Sequence, residues 1–304
     1  MTTIELTFLG TSCMVPTKDR NAQGIFLKYK GEGILLDCGE GTQRQMNIAG
    51  ISRMDVTRIF ITHWHGDHVG GLMPLLQTMN REVEHRVEIH GPKGTKERME
   101  HGMKSIDFPC QLDLQIFEHD CDRKKGIKKI LETEDFVVEV ASLRHTTPAI
   151  GYAFIEKDRR RINMPLLKRM GIPEGPHLQK LQKGEDMVYQ GKKVEVEKAT
   201  TLVQGKKITL LQDTAVCGNL ALLAKDSDVL ICEATYCETE SEKAEKHHHM
   251  TAKQAAQIAH EAGAKKLYLT HFSQRYDTIT PIREEARTYF KGAECAHDFL
   301  RVKV

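Results

Sequence analysis

The sequence has almost no net charge, no paired-cysteine motif, no low-complexity linker and no apolar run approaching a membrane span. Its 44 basic and 42 acidic residues leave a formal charge of +2, so the whole molecule exerts little long-range pull on an anion. An anionic partner must therefore be met by local basic patches. The eight cysteines (Cys13, Cys38, Cys110, Cys121, Cys217, Cys232, Cys237 and Cys295) include no Cys-x-x-Cys pair and no framework spacing. This argues against a disulfide scaffold and predicts reduced thiols that serve mostly as core filler. With no linker and no internal duplication, 304 residues at 40% apolar composition are expected to form a single domain over residues 1–304, interrupted by an insertion. The start, Met1-Thr2-Thr3-Ile4-Glu5-Leu6, lacks a basic region followed by an apolar core. The expected compartment is the cytoplasm, with no membrane partner.

What is present is a concentration of metal-ligand side chains. His63-Trp64-His65-Gly66-Asp67-His68 directly follows the strand-like run Arg58-Ile59-Phe60-Ile61-Thr62 and precedes an expected helix from Val69 to about Met79. A strand delivers such a loop rigidly, and Gly66, Gly70 and Gly71 let the backbone turn so that short side chains converge. His63 and His65 could hold one cation while Asp67 and His68 hold a second. Imidazole with carboxylate suits zinc or manganese, and a shell that retains water suits hydrolysis better than a structural role.

Elsewhere the chain alternates strands with helices. Ile4, Leu6 and Phe8 alternate with Glu5 and Thr7, which predicts a half-buried first strand ending at Gly10. Gly24 to Lys30 and Ile34 to Asp37 flank Gly31-Glu32-Gly33 as a hairpin, and a short helix is expected around Gln43 to Ile48. Further strands are expected at 87–90, 112–117, 136–143, 151–155, 208–211, 229–232 and 267–270, and helices at 95–104 and 251–262, the latter with Thr251 as N-cap. The run Arg123-Lys124-Lys125 with Lys128-Lys129 reads as a solvated hairpin turn. Residues 156–200 are charged and turn-rich, with Arg159-Arg160-Arg161, Lys168-Arg169, Gly175-Pro176, Lys180 and Lys192-Lys193. This stretch is expected to leave the core as a flexible basic arm. One pattern recurs: an apolar strand ends and a metal-ligand residue follows, at His63, His145, Asp213 and His271. A single such residue is ordinarily a hydrogen-bonded loop residue, but four ends in one chain favour a shared site at one sheet edge.

The six-residue cluster, with a later His, an Asp and a final His, resembles the metallo-β-lactamase superfamily, and within it tRNase Z, the family of endonucleases that remove 3′ trailers from precursor tRNA. The resemblance extends to Pro16-Thr17-Lys18-Asp19-Arg20-Asn21, to Asp37-Cys38-Gly39-Glu40-Gly41-Thr42-Gln43 and to Gly175-Pro176. The chain departs from the family at Cys232-Glu233-Ala234-Thr235, where His-Glu-Ala-Thr is usual, and at His249-Met250-Thr251, where His-Ser-Thr is usual. It departs again at Gln212, where glycine is common.

This resemblance implies an α/β metallo-β-lactamase fold, a four-layer αβ/βα sandwich with the basic arm inserted. It implies two Zn2+ per subunit, with Mn2+ as the alternative: His63, His65 and His145 around one ion, Asp67, His68 and His271 around the other, and Asp213 bridging. Asp67 would also position the attacking water, and His249 would act as general acid, oriented by Glu233; Glu233 reads equally as a buried carboxylate that caps the following turn. Lys18 and Arg20 would contact the RNA 3′ end, in a loop that the family uses to sense CCA. Arg159, Arg160, Arg161, Gly175 and Pro176 would belong to an arm that tracks tRNA phosphates across a homodimer. The implied products are a 3′-hydroxyl on the tRNA and a 5′-phosphate on the trailer. Two other readings remain: a small-molecule hydrolase on the same scaffold, for which a basic arm has no use, and a non-catalytic RNA-binding protein, which lost ligands would betray.

Overall fold

The computed structural model describes residues 3–80, 85–107, 110–121 and 126–304. Two seven-stranded sheets face each other. The first runs in the order Arg301–Lys303, Glu5–Gly10, Gly24–Tyr29, Glu32–Leu36, Arg58–Phe60, Arg86–Pro92, Asp113–His119. The second runs Ala293–Cys295, Leu267–Thr270, Val229–Glu233, Lys207–Leu211, Ile150–Glu156, Phe136–Ser142, Ile127–Glu132. Each sheet is half parallel and half antiparallel.

Three apolar cores separate four layers. Phe8, Tyr29, Phe60, Val140, Tyr152 and Ile231 fill the space between the sheets. Met46, Leu72, Leu75, Met79 and Met99 seal the first sheet beneath helices Thr42–Ala49, Leu72–Met79 and Thr95–Ser105. Leu220, Leu223, Ala255, Ala259, Ile282 and Ala286 do so for the second sheet, from helices Asn219–Ala224, Ala252–Glu261 and Thr280–Tyr289. This is the αβ/βα sandwich. It corrects the half-buried first strand: Thr7 is buried as well, because that strand has a sheet on one face and a helix on the other.

Other local expectations shift for identifiable reasons. The helix expected from Val69 is broken into a turn, Gly66–Val69, and a helix, Leu72–Met79. A Cβ on Gly71 would lie 2.2 Å from the Gly39 carbonyl oxygen, so glycine is needed where these two loops cross. Thr251 caps its helix with a complete capping box to Gln254. Arg123, Lys124 and Lys125 lie outside the described residues, whereas Lys128 and Lys129 sit on the strand Ile127–Glu132 and not in a turn.

The basic stretch is not turn alone. Arg159–Ile162 pairs with Thr200–Val203, Met187–Tyr189 pairs with Lys192–Val194, and short helices lie between. Leu167, Ile172, Leu178, Leu181, Met187, Val194 and Val196 form a small core of their own. Both ends of the stretch emerge side by side, with the Glu156 N–H donating to the Lys206 carbonyl at 2.8 Å. No helix among the described residues is long and apolar enough to cross a membrane.

Candidate metal centre

Strand ends assemble the site. In the first sheet Leu36 pairs with Phe60 in a parallel ladder, so Asp37 and the loop from Ile61 to His68 leave from one edge. In the second sheet Leu211 pairs with Cys232 and Glu233 with Thr270, which brings Asp213, Glu233 and His271 to one edge. The turn holding His145 joins the antiparallel strands Phe136–Ser142 and Ile150–Glu156. The two edges are tied together by the Ile150 N–H donating to the Thr62 carbonyl at 3.0 Å and the Tyr152 hydroxyl donating to the Ile61 carbonyl at 2.8 Å.

All seven residues expected as ligands converge. One donor atom from each of His63, His65, His145 and Asp213 lies within 4.8 Å of the others, and Asp67, His68 and His271 form a second such group. Asp213 faces both. Its Oδ2 lies 3.5 Å from His63 Nε2 and 3.8 Å from His145 Nε2, while its Oδ1 lies 3.3 Å from His68 Nε2 and 3.2 Å from His271 Nε2. Nitrogen faces nitrogen at 3.2 Å in two places, His68 Nε2 to His271 Nε2 and His145 Nε2 to His65 Nδ1. His63 Nε2 and Asp213 Oδ1 are buried with no hydrogen-bond partner among the described residues. Buried polar atoms seldom go unpaired, and inward-facing imidazole lone pairs repel unless a cation lies between them. The donor set therefore fits metal ions of the zinc class.

The far side of each ring is held. His68 Nδ1 is 2.7 Å from Asp37 Oδ2, His63 Nδ1 is 3.1 Å from Thr62 Oγ1, His145 Nδ1 is 3.1 Å from the His248 carbonyl oxygen, and His271 Nδ1 is 3.1 Å from Thr235 Oγ1. Such partners select the tautomer that leaves the inner nitrogen free to ligate. Sequence reasoning assigned none of them this role. Asp37 is the clearest omission: it is fully buried, has φ of 58°, and also accepts from the Thr62 N–H and hydroxyl at 2.8 Å each. Its signal was available, because Asp37 directly follows an apolar strand, as His271 does. Burial, reinforced by the neighbouring His68, holds the His63 pKa well below its usual value and keeps that ring neutral.

His249 lies against the same centre, and its donor atom groups with those of Asp213 and His271. Its Nδ1 is 3.1 Å from Glu233 Oε1. Glu233 is completely buried and also accepts from the Thr214 N–H at 2.6 Å, the Thr235 hydroxyl at 2.6 Å and the Met250 N–H at 3.2 Å. It therefore both contacts His249 and ties down the flanking backbone. Burial alone would lower the His249 pKa, but the Glu233 carboxylate holds it above the usual imidazole value.

The two loop cations part company. The Lys18 side chain is 90% exposed, with Asp19 3.9 Å away. Arg20 turns inward and donates from Nη2 to the carbonyls of Tyr276 at 2.9 Å and Ser273 at 3.4 Å. Arg20→Ala is expected to lower stability by about 1.5–3 kcal/mol, the range for a charged hydrogen bond, in a denaturant melt. Lys18→Ala should leave the melt unchanged. On the excursion, Arg161 is exposed, Arg159 lies 3.9 Å from Glu156, and Arg160 binds Glu197 and Thr200. Gly175 and Pro176 open the 3-10 turn Pro176–Leu178.

The centre opens into a cleft of about 940 Å³ lined by Met14, Asp67, His145, Tyr236, His249 and Arg275, among others. Residues 4–160, just over half of the chain, match the family model described as Anti-Pycsar protein Apyc1. Ribonuclease Z of Methanothermobacter thermautotrophicus is 39% identical over 303 residues, covering 99% of this chain and 97% of that protein. Human tRNase Z, short form, superposes with a TM-score of 0.70 at 28% identity, covering 98% of each chain. The metallo-β-lactamase fold protein YhfI from Bacillus subtilis shares the fold with a TM-score of 0.70 at 15% identity over the full length of both chains. The chain therefore belongs to the ribonuclease Z family, shares its first half with the Apyc1 family, and has the metallo-β-lactamase fold.

Proposed function

We propose that this protein is a metal-dependent endoribonuclease that cuts the 3′ trailer from precursor tRNA, leaving a 3′-hydroxyl on the tRNA and a 5′-phosphate on the trailer. The observation that carries the reading is Asp213, which offers one carboxylate oxygen to each of two ligand groups in a chain 39% identical to a ribonuclease Z. His63, His65 and His145 would hold one ion and Asp67, His68 and His271 the other, with Asp213 shared. The ions are assigned as Zn2+, with Mn2+ the alternative. When bound, such a pair supplies Lewis acidity toward the phosphoryl oxygens and lowers the pKa of a water toward neutrality.

The chain's own residues do the rest. Asp67, whose Oδ2 already accepts from the Met14 N–H at 2.8 Å, accepts a hydrogen bond from the attacking water and aims it at phosphorus. As the phosphorus–O3′ bond breaks, His249 gives its Nε2 proton to the leaving ribose oxygen, while Nδ1–H stays hydrogen-bonded to Glu233. Water is the nucleophile, so the neighbouring 2′-hydroxyl is not consumed and no cyclic phosphate forms. Lys18 and the cations of the excursion, Arg159, Arg160 and Arg161 among them, contact RNA phosphates and select shape over sequence. Arg20 serves that contact indirectly, by fixing the loop. A cytoplasmic homodimer, with Gly175-Pro176 in an arm serving the partner's tRNA, completes the reading.

Glu233→Gln is expected to reduce kcat about 10–100-fold, as the loss of an orienting partner does. The carboxylate raises the His249 pKa, so without it His249 loses its proton at lower pH. The alkaline limb of the kcat profile should move down in pH. The function itself is tested by incubating metal-loaded protein with two end-labelled precursor tRNAs, one with an encoded CCA and one without, and mapping both product ends. A single chelator-sensitive cut leaving a 3′-hydroxyl supports the reading. No cut on either RNA, with turnover of a small phosphodiester, moves it to a small-molecule hydrolase.

A further inference from the structure

A second cavity of about 280 Å³ adjoins the metal centre through His145 and Thr146, on a flank that His249 does not line. Lys93, His119, Ser142 and Pro148 form part of its wall. His119 is the last member of a chain of polar groups with no part in the chemistry above. Arg58 Nε donates to Glu88 Oε2 at 2.7 Å, Glu88 Oε2 lies 3.6 Å from His90 Nε2, and His90 Nδ1 is 3.0 Å from His119 Nε2. His90 and His119 are 2% and 7% exposed, and their rings lie 12° from parallel, with Phe117 stacked on His90 at 4.7 Å.

The polarity of this chain follows from electrostatics. Burial lowers both imidazoles to about 4, so each ring is neutral and carries one proton. If His90 donated from Nδ1, its bare Nε2 lone pair would face the Glu88 carboxylate, and the two would repel. The favoured arrangement directs His90 Nε2–H toward Glu88 and lets His90 Nδ1 accept from His119 Nε2–H. His119 Nδ1 is then a fixed lone pair, without a partner among the described residues, on a side chain lining the cavity. Such an atom takes a hydrogen-bond donor and rejects a phosphate oxygen.

Resting on the ribonuclease reading, we propose that this cavity holds the first nucleotide of the trailer and that His119 Nδ1 accepts the hydrogen bond of its ribose 2′-hydroxyl. The leaving O3′ belongs to the tRNA and sits against His249. The other ester branch at phosphorus, through O5′, leads away from His249, and the flank reached through His145 and Thr146 is where this cavity lies. At about 280 Å³ the cavity lies just below the usual range of ligand sites, about 300–1,000 Å³, which limits it to a group no larger than one nucleoside. The 2′-hydroxyl is the group that separates RNA from DNA at such a position. His119 would thus restrict the nucleotide after the cut to a ribonucleotide.

The test is a cycle of kcat/KM values for wild type and His119→Phe on two precursor tRNAs, all-ribose and with a single 2′-deoxy substitution in the first trailer nucleotide. That hydroxyl is not on the sugar that leaves phosphorus, so its removal leaves the reacting ester unaltered. Wild type should lose about fivefold on the deoxy substrate, the size of one neutral hydrogen bond. His119→Phe should lose about as much on the all-ribose substrate and nothing further on the deoxy one. His119→Gln, which keeps an acceptor oxygen, should recover part of the discrimination and keeps the test decisive if the phenylalanine variant does not fold. Equal rates of wild type on both substrates, or losses that multiply, overturn the proposal. Wild type that leaves both precursors uncut overturns the ribonuclease reading instead.

Discussion

Asp213→Ala is expected to lower kcat/KM on precursor tRNA by about a thousandfold or more, while the fold survives. The activity loss follows because the Asp213 oxygens face four imidazoles, His63, His68, His145 and His271, and because a paired-ion site supplies several kcal/mol to phosphoryl transfer. The fold should survive because, among the described residues, no hydrogen bond of the scaffold ends on the Asp213 side chain; one of its oxygens is buried and unpaired there. Metal analysis should show fewer bound ions than in wild type, and RNA binding should change little, because the cations proposed to contact phosphate, Lys18 and Arg159 to Arg161, are not among the residues that face Asp213. Asp37→Ala is the instructive contrast. It removes the acceptor of the Thr62 N–H, of the Thr62 hydroxyl and of His68, all in the buried interior. Stability should fall by about 2–5 kcal/mol along with activity. Equal melting behaviour in the two variants would contradict the separation of ligand from scaffold drawn here.

Excision of residues 157–205 should separate two activities. Ile155 pairs with Lys207 in an antiparallel ladder, and the Glu156 N–H reaches the Lys206 carbonyl, so the strands can be closed by an Asn-Gly turn between Glu156 and Lys206. The removed segment takes its own apolar cluster with it and leaves the three cores of the sandwich intact. Losing several phosphate contacts should reduce kcat/KM on precursor tRNA by about a hundredfold at physiological salt and flatten its salt dependence. Hydrolysis of a small chromogenic phosphodiester should stay within about twofold, because phosphate contacts position a large substrate and do no chemistry. Equal losses on both substrates would mean that the excursion serves folding.

Legibility in the sequence followed the range of each interaction. The ligands were readable because His63, His145, Asp213 and His271 each come within three residues of a strand end: Asp213 two residues past Leu211, His271 directly after Thr270. Thr251 was readable as a cap because its partner Gln254 is three residues away. Asp37 was not, because its partners Thr62 and His68 lie 25 and 31 positions further on. Arg20 looked like Lys18 in a polar loop, and only carbonyls more than 250 positions away turn it inward. The basic stretch looked like solvated turns because its charges are contiguous, while Leu167, Leu178, Leu181 and Val194, which build its core, are spread thinly among them.

The sequence by itself determined the chemistry available: strands that end near imidazole and carboxylate, cysteines without disulfide-framework spacing, and a charged segment inserted between two apolar strands. These are properties of residues and their immediate neighbours, so composition and periodicity carry them. Only the tertiary structure decided which lone pairs meet. The parallel registers of Leu36 with Phe60 and of Leu211 with Cys232 bring separate strand ends to one edge, and the facing of two sheets sets Asp213 between two groups of histidines. The same packing places a partner on the far nitrogen of His68 and of His271 and stacks His119 on His90 at a cavity wall. Hydrogen bonds and ligation depend on distances of a few ångströms between atoms far apart along the chain, and only the folded chain sets those distances.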